Sequence, residues 1–353
     1  MKALIAMSGG VDSSVAAYLM KQAGYECIGA TMMLYDNEDI GIDRRKTCCS
    51  LDDVEDAKAV AHRLGIPHYT LNFKDDFADK VIRKFIDSYE HGITPNPCID
   101  CNRYLKFEAL YRRAIELSCD MIVTGHYARI TRENGRYQLK KAADITKDQS
   151  YVLYSMDQEQ LAHTQFPCGE LTKTAIRRIA EEQGFYNAAK PDSQDICFVP
   201  DGDYTAFIRR YTGSSYPPGS FVDSVGNVLG EHSGIINYTV GQRKGLGISA
   251  KEPLYVCKVD AESNRVVLGH SSELFARELD VKDLHWSAFE KPPQKITADV
   301  KIRYRHTQQP AEIISTGENC AHIVFAEPQR AITRGQAAVI YDGDTVLGGG
   351  IIV

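Results

Sequence analysis

The chain has 353 residues, of which 43% are apolar and 25% are charged, and its formal net charge is −6. This composition is that of a globular protein and excludes a largely disordered one, while the length predicts two or three domains rather than one hydrophobic core. The negative net charge excludes a uniformly basic nucleic-acid-binding domain, so a nucleic-acid partner would need local cationic patches.

The sequence also predicts a cellular compartment. No apolar run is long enough to span a bilayer, and the first strand pattern begins almost at Met1, so we expect neither a membrane segment nor a signal or transit peptide. We therefore expect a cytoplasmic protein. Its ten cysteines are then expected to be reduced and to serve metals or chemistry rather than a disulfide scaffold.

The first predicted element carries the strongest functional signal. Residues 3–7 form a buried-strand pattern, and residues 15–20 form a helix pattern that ends near Gly24. Residues 8–14, Ser-Gly-Gly-Val-Asp-Ser-Ser, lie between them, and a glycine turn before a helix start is typical of a phosphate site. A carboxylate at Asp12 predicts a divalent cation such as Mg²⁺ beside the phosphate. The alternative is a plain strand-to-helix turn with a capping serine.

The next elements alternate between strand and helix patterns. Strands are predicted at 26–33, 68–71 and 121–124, and helices at 51–64 (opened by a capping box at 50–53), 76–90 and 105–117. This alternation predicts an α/β fold with a doubly wound parallel sheet and a ligand site at the strand carboxyl ends. The glycine turn and Gly125-His126 both follow such ends.

The pattern of predicted elements changes after Pro200. A short helix is predicted at 203–211, followed by short alternating segments with many glycines, and a second change at 275–293 suggests a linker into a final β-barrel or sandwich. We expect domains at 1–200, 201–277 and 278–353. Residues 296–305 form the clearest late strand, with Lys301, Arg303 and Arg305 on its polar face. These cations either follow a nucleic-acid backbone or line an ordinary solvated face.

Three cysteines are candidates for chemistry. Cys98 and Cys101 lie in a segment whose two prolines are expected to delay the next helix until Tyr104, so Cys101 would sit near a helix N-terminus that lowers its pKa. Cys197 ends the first domain. A single C-x-x-C is ambiguous between a redox pair, half a zinc site and an iron–sulfur corner. Among the others, Cys27, Cys119 and Cys257 are expected in the core, while Cys48, Cys49, Cys168 and Cys320 are left open.

Together these motifs resemble the bacterial-type tRNA-specific 2-thiouridylases of the pyrophosphate-loop ATP pyrophosphatase superfamily. The glycine turn matches the SGGxDS loop. The other matching stretches run through the rest of the chain, at residues 94–97, 101–102, 124–127, 147–151, 196–198, 241–247 and 347–352.

The resemblance implies an adenine nucleotide α-hydrolase-like domain, a central β-rich tRNA-binding domain and a C-terminal β-barrel. The implied reaction is 2-thiolation of uridine 34 in tRNA: ATP adenylates the C2 oxygen, sulfur arrives as a persulfide from a donor protein, and AMP leaves. In this family Cys197 matches the persulfide carrier and Cys101 the catalytic nucleophile. We expect a monomer.

The resemblance also assigns binding residues one by one. The implied ATP contacts are Ala6, Met7, Ser8, Gly9, Gly10, Val11, Asp12, Ser13, Met32 and Gly125. The implied tRNA contacts are Asn96, Pro97, Cys98, His126, Lys147, Asp148, Gln149, Arg303, Tyr304 and Gln336.

One position departs from the family pattern, because Cys98 stands where many relatives have Asp. Cys98, Cys101 and Cys197 then form a three-thiolate set, which leaves open a four-iron four-sulfur cluster in place of the persulfide relay. Two other function classes remain as alternatives. One is a carbon–nitrogen ligase with the same nucleotide loop, and the other is a non-catalytic RNA-binding or iron–sulfur protein.

Overall fold

A computed structural model describes residues 1–36, 51–192 and 196–353. The predicted Ser50 cap, Cys48 and Cys49 lie outside these ranges. The chain divides into two compact units. The first contains residues 1–81, 97–207 and 344–346, and the second contains residues 82–96, 208–343 and 347–353. No helix in the described ranges has both the length and the apolar character needed to cross a membrane.

The first unit is built on a parallel sheet of five strands in the order β3-β2-β1-β4-β7. The central strand is apolar on both faces because both are covered, and Ala3, Leu4 and Ile5 are fully buried. The expected doubly wound parallel sheet is confirmed. The strands are β1 (Lys2–Ala6), β2 (Glu26–Met33), β3 (His68–Asn72), β4 (Met121–Val123) and β7 (Thr164–Gln165).

Nine α-helices and two π-helical segments are found in the described ranges. Helices α1, α2 and α8 share one core with alternate residues of the sheet, while Leu4, Ile28 and Ile122 face the opposite side. The helices are α1 (Val11–Gln22), α2 (Leu51–Leu64), α3 (Lys74–Phe77), α4 (Arg83–Glu90), α5 (Pro97–Asp100), α6 (Leu110–Glu116), α7 (Gln158–Ala162), α8 (Lys173–Glu182) and α9 (Tyr204–Thr212), with π-helical Ala78–Ile82 and Cys101–Ala109.

The first unit also contains an antiparallel hairpin, which lies between β4 and β7 in the chain. It consists of β5 (Ala128–Glu133) and β6 (Arg136–Lys141). Lys140 of β6 pairs with Thr345, and Arg129 forms an ion pair of 2.6 Å with Asp344. Short 3₁₀ turns occur at Ile145–Lys147, Ser150–Leu153 and Pro167–Glu170 in this unit, and at Ile235–Asn237 and Ser271–Leu274 in the second.

The second unit is β-rich, as the sequence predicts. Its smaller sheet has the order β10-β11-β8-β9, and its six-stranded barrel has the order β12-β15-β14-β13-β16-β17, closed by pairing of β17 with β12. The strands are β8 (Gly219–Val222), β9 (Val228–His232), β10 (Tyr255–Asp260), β11 (Arg265–Gly269), β12 (Phe275–Trp286), β13 (Lys295–Lys301), β14 (Gln309–Gly317), β15 (Cys320–Arg330), β16 (Ala337–Asp342) and β17 (Thr345–Ile352).

Two sequence expectations for this unit are wrong. The stretch 275–293 is no linker, because Phe275–Trp286 is the longest barrel strand and buries Leu279, Val281 and Leu284. The strand expected at 296–305 ends at Lys301. Its apolar face is right, since Val300 and Ile302 are buried, but Arg303 and Arg305 lie in the turn beyond the strand and do not continue a straight cationic row.

Candidate active site

The glycine turn connects β1 to α1 at the carboxyl edge of the sheet. Gly10 is the extended residue before the helix, and the hydroxyls of Ser13 and Ser14 each donate to its carbonyl at 3.0 Å. A Cβ on Gly9, whose φ is +74°, would overlap the Asp53 backbone. Of the three serines in the turn, Ser8 is exposed, whereas Ser13 and Ser14 are buried and donate hydrogen bonds within the loop itself.

Asp12 is held by groups that sequence reasoning missed. Its carboxylate accepts a hydrogen bond of 2.6 Å from the Tyr127 hydroxyl and bonds of 2.7 and 2.9 Å from Lys173 Nζ. Burial, with the hydrogen bond to Asp12, raises the pKa of Tyr127 far above its usual value. The carboxylate predicted to need Mg²⁺ is therefore neutralised by a lysine at the start of α8, which lies too far along the chain to be found by a local motif.

Lys173 belongs to a larger ionic cluster. Its ammonium also lies 2.8 Å from Asp192, which forms ion pairs of 2.8 Å with Lys147 and 2.9 Å with Arg177. Partial burial raises the pKa of Asp192, but the hydrogen bonds and charges of Lys147 and Lys173 outweigh it and lower the pKa to about 2. Three cations thus face two carboxylates beside the glycine turn.

The residues before Asp192 form hydrogen bonds and ion pairs with the glycine turn and with α2. Asn187 is buried and donates to the Gly9 carbonyl at 2.8 Å and to the Ser14 hydroxyl at 2.9 Å. Lys190 forms ion pairs with Asp53 and Asp56 of α2. Burial lowers the pKa of Lys190, but the hydrogen bonds that its ammonium donates to both carboxylates outweigh burial and raise the pKa.

Gly125 and His126 follow β4, the neighbour of β1 in the sheet. A Cβ on Gly125 would lie 2.7 Å from backbone atoms of Asp12 and Ser13, so only glycine allows these two backbone segments to pack in contact. His126 Nδ1 lies 2.7 Å from the Thr124 hydroxyl and Nε2 lies 3.4 Å from Lys106 Nζ. Burial and the Lys106 charge hold the pKa of His126 well below 6.5. Since an ammonium can only donate, Nε2 is the acceptor and the proton of the neutral ring is on Nδ1.

The segment with Cys98 and Cys101 differs from the sequence expectation. The helix begins at Pro97 rather than near Tyr104, because a proline at the first helical position loses no needed N–H bond. Cys98 is solvent-exposed in the first turn and Cys101 is buried in the next.

The expected lowering of the Cys101 pKa is also wrong. Desolvation raises the pKa of Cys101, and Lys106 opposes this rise only in part. Although Cys98 lies at the surface, desolvation by the protein atoms packed around its thiol, followed by the charge of Cys101, raises its pKa to about 11. Both groups are therefore protonated thiols near neutral pH in the free protein.

The helical segment that carries Cys101 reaches the carboxyl edge of the sheet, where the glycine turn lies. The segment runs from Pro97 to Glu116 and ends near the amino end of the sheet, where Lys2 Nζ donates to the Leu117 carbonyl. Lys106 reaches His126 at the carboxyl end of β4, and Cys101 lies about one helical turn beyond it.

Cys197 is on the same edge. Tyr35, just past the carboxyl end of β2, donates its hydroxyl to the Cys197 carbonyl at 2.8 Å, and Phe198 packs edge-on against Phe77. Because β1 lies between β2 and β4, the glycine turn lies between the two cysteine-bearing segments along this edge. Among the described residues, neither Cys101 nor Cys197 takes part in a disulfide.

The other cysteines have separate settings. Cys27 and Cys119 are buried as expected, Cys257 is only partly buried, and Cys320 is exposed. Cys168 is buried and its thiol donates to the Asp12 carbonyl at 3.4 Å. Within the described ranges no three His, Cys, Asp or Glu side chains are grouped to hold a metal ion, so Cys98, Cys101 and Cys197 do not fit an iron–sulfur cluster in this arrangement.

The remaining predicted contacts divide between the two units. In the first unit, Met32 is half-buried in β2, Asp148 is buried and accepts from the Ala142 N–H, and Gln149 exchanges hydrogen bonds with the Tyr127 backbone. Asp148 and Gln149 therefore have a structural role and are also candidate ligands. The sequence shows only a polar loop here and does not indicate these hydrogen bonds.

In the second unit, Gln336 donates to the carbonyls of Thr94 (2.9 Å) and Pro95 (3.3 Å), next to Asn96. Arg303 donates to the Arg330 carbonyl at 3.5 Å, and Tyr304 is 38% exposed. Strand alternation would point Tyr304 toward the core. Tyr304 is instead partly exposed, because β13 has already ended before it.

Comparison with known proteins assigns a family to these features. Residues 1–201 match the family described as "tRNA methyl transferase HUP domain", residues 205–270 its "PRC-barrel domain", and residues 276–352 an "Aminomethyltransferase beta-barrel domain". The tRNA-specific 2-thiouridylase MnmA of Clostridioides difficile is 49% identical over 99% of this chain and 98% of its own length. This chain belongs to the tRNA-specific 2-thiouridylase family. The 2-thiouridylase of Acetivibrio thermocellus is 50% identical over 99% of both chains.

A solved structure with a more distant resemblance to this 2-thiouridylase family member is also found. The crystal structure of a 4-thiouridine synthetase–RNA complex with bound ATP covers 60% of this chain and 50% of its own, with 17% identity and a TM-score of 0.39. That overall likeness is too weak to carry an argument. Membership rests on the full-length relatives, which cover both units of the chain.

Proposed function

We propose that this chain is an enzyme that replaces the C2 oxygen of uridine 34 in tRNA with sulfur and converts ATP to AMP and diphosphate. The observation that supports this best is the common edge of the sheet. The glycine turn lies there between the segments that carry Cys101 and Cys197, and Gly125 and His126 join the turn to the helix of Cys101. Membership of the 2-thiouridylase family supports the choice of tRNA as substrate.

ATP is proposed to bind with its phosphates at the glycine turn. The N-terminus of the twelve-residue α1 and the Lys173 ammonium beside Asp12 favour a polyphosphate there. Asp12 is the carboxylate at the turn suited to a Mg²⁺ ion carried by the phosphates. Such an ion would neutralise phosphate charge, provided that Asp12 gives up part of its bonding to Lys173. Met32 and Gly125 are proposed to line the remainder of the nucleotide site.

The first chemical step activates the base. The C2 oxygen of uridine 34 attacks the α-phosphorus of ATP, a C2–O–P bond forms, and diphosphate leaves. The second step delivers sulfur. A donor protein supplies a persulfide on Cys197, and the Cys101 thiolate attacks the inner sulfur. This forms a Cys101–Cys197 disulfide and releases hydrosulfide, which attacks C2 and expels AMP. A thiol reductant restores both cysteines.

The residues around Cys101 determine whether its thiol is protonated or ionised. Burial keeps it a protonated thiol in the free enzyme, and Lys106 is the neighbouring charge that favours the thiolate. We propose that Asn96, Pro97 and Cys98 contact the target base and that His126 acts beside it as a neutral hydrogen-bonding group. Lys147, Asp148, Gln149, Arg303, Tyr304 and Gln336 are proposed as further tRNA contacts.

Thiolation of an unmodified tRNA transcript tests this function. The assay supplies ATP and a persulfide donor and measures 2-thiouridine at position 34 and AMP by mass spectrometry. We expect Cys101→Ser and Cys197→Ser to lose the product, and Cys320→Ser, in an exposed barrel position, to retain it. Full conversion of ATP to AMP by either active-site variant, with no 2-thiouridine formed even by the unaltered protein, would favour a carbon–nitrogen ligase. Product formed without ATP would reject adenylation.

The way in which the protein is purified distinguishes an iron–sulfur cluster from the persulfide relay. Protein purified anaerobically is assayed for iron and labile sulfide, and the iron-free enzyme is then supplied with persulfide. We expect full thiolation by the iron-free enzyme, because the described residues do not group three thiols as ligands. Activity that appears only with bound iron would overturn the persulfide relay.

A further inference from the structure

The glycine turn lacks the lysine that phosphate loops of the Walker type carry in their own sequence. A lysine reaches the turn from elsewhere in the chain, because Lys173 at the start of α8 contacts Asp12. Its ammonium sits against both Asp12 oxygens at 2.7 and 2.9 Å and 5.7 Å from the centre of the Tyr127 ring, and its side chain is only 12% exposed. A cation is therefore already fixed at the first residues of α1, where phosphates would lie.

The bonding of Lys173 suggests how a phosphate would be accepted. An ammonium has three N–H donors, and the two Asp12 oxygens and one Asp192 oxygen account for all three. Asp12 retains the Tyr127 hydroxyl if Lys173 withdraws, and Asp192 retains Lys147 and Arg177. Lys173 can thus move a donor to a new anion without leaving either carboxylate unpartnered.

We propose that Lys173 is the residue that binds the diphosphate half of ATP, and that Asp192 is a positioning residue that holds its ammonium beside the glycine turn. This inference rests on the proposed use of ATP and names one residue of that site. Charge-assisted hydrogen bonds from an ammonium to phosphate oxygens are stronger than hydrogen bonds to a neutral ligand, which favours a diphosphate group as the new partner of Lys173.

A purely structural role for Lys173 predicts different behaviour. If the lysine only neutralised Asp12, its removal would disturb the loop as a whole and would weaken AMP and ATP binding by the same factor. If it binds the diphosphate, the loss is confined to ligands with β- and γ-phosphates. AMP is therefore the matched ligand that separates the two roles, and inorganic diphosphate is the matched probe for the phosphate half.

The test is calorimetric titration of the full-length protein with ATP, AMP and inorganic diphosphate at fixed Mg²⁺ and ionic strength. The variants are Lys173→Gln, Lys173→Arg and, as a control on the same helix, the exposed Arg178→Gln. We expect Lys173→Gln to weaken ATP and diphosphate binding at least tenfold while AMP binding changes less than twofold. Lys173→Arg should restore part of the loss, and Arg178→Gln should change nothing.

Each other outcome has a definite meaning. Equal losses for ATP and AMP, or no loss for ATP, would overturn the proposal. If Lys173→Gln does not fold, Lys173→Arg decides: it should lower ATP affinity relative to AMP affinity, and unchanged ratios would overturn the proposal. A wild-type protein that binds neither nucleotide would instead reject the proposed function and leave Lys173 as an Asp12 partner only.

Discussion

At the scale of single residues, the end of β4 shows how closely the nucleotide loop is packed. Gly125 touches the backbone of Asp12 and Ser13, and His126 is a buried neutral imidazole between Thr124 and Lys106. The sequence pattern predicted that both residues end a strand beside the loop. It gave no sign that Lys106 lies beside His126 or that Lys173 lies beside Asp12, because charge partners distant in sequence leave no local periodicity.

Gly125→Ala should disturb the nucleotide loop directly. The added methyl would lie 2.7 Å from backbone atoms, which cannot rotate away as a side chain can, so we expect a loss of about 1–3 kcal/mol in the free energy of unfolding and weaker ATP binding. Denaturant unfolding and ATP titration measure both. Gly317→Ala is the control, since its nearest atom is 3.8 Å away. Unchanged ATP affinity in Gly125→Ala would contradict the packing argument.

His126 should make stability depend on pH. Its pKa in the folded state lies below the value in the unfolded chain, so the unfolded state binds the proton first and stability falls as pH drops below about 6.5. Lys106→Met should raise the His126 pKa in part only, because burial is the larger cause. NMR titration of the ring measures this, with Lys58→Met as the control. A His126 that titrates near 6.5 in the wild type would refute the assignment.

At the scale of elements, the errors of the sequence analysis have physical causes. Two prolines suggested a loop before Tyr104, but Pro97 occupies the first helical position, where it is tolerated. Alternation in residues 296–305 identified the buried face of β13, but the strand ends at Lys301 and a turn follows, which alternation alone does not mark. Segment types were predictable from periodicity, whereas the ends depended on contacts with other strands.

Gln336 should order the segment that precedes the cysteine helix. It binds the carbonyls of Thr94 and Pro95, while the Thr94 N–H donates to Arg334 at 3.0 Å. We expect Gln336→Ala to cost about 1 kcal/mol and to speed hydrogen exchange of the peptide containing residues 93–96. Gln294→Ala, which loses a 2.8 Å bond to the Ser315 carbonyl elsewhere in the barrel, is the control. Equal exchange in both variants would argue against this tie.

At the scale of the whole molecule, fold class and family were accessible from the sequence because the motifs are spread along the entire chain. The division at 1–200, 201–277 and 278–353 stays a prediction. The net charge of −6 directed attention to local cations, yet several of these form ion pairs within the protein itself. Lys147 pairs with Asp192 and Arg129 with Asp344, which composition could not indicate.

Arg303 should contribute to tRNA affinity through a phosphate. Because each such contact releases counterions, Arg303→Gln is expected to weaken binding and to reduce the slope of log affinity against log salt by about 0.7–0.9. Filter binding of tRNA between low and moderate salt measures the slope. Lys58→Gln, on α2 and paired with Glu55, should leave the slope unchanged. An unaltered slope in Arg303→Gln would remove this residue from the tRNA interface.

The proposed chemistry is tested most directly by the fate of the C2 oxygen. A tRNA whose uridine 34 carries ¹⁸O at C2 is thiolated with ATP and a persulfide donor, and the AMP is analysed by mass spectrometry. Adenylation of that oxygen predicts one ¹⁸O atom in AMP for each 2-thiouridine formed. Thiolated tRNA accompanied by unlabelled AMP would contradict it.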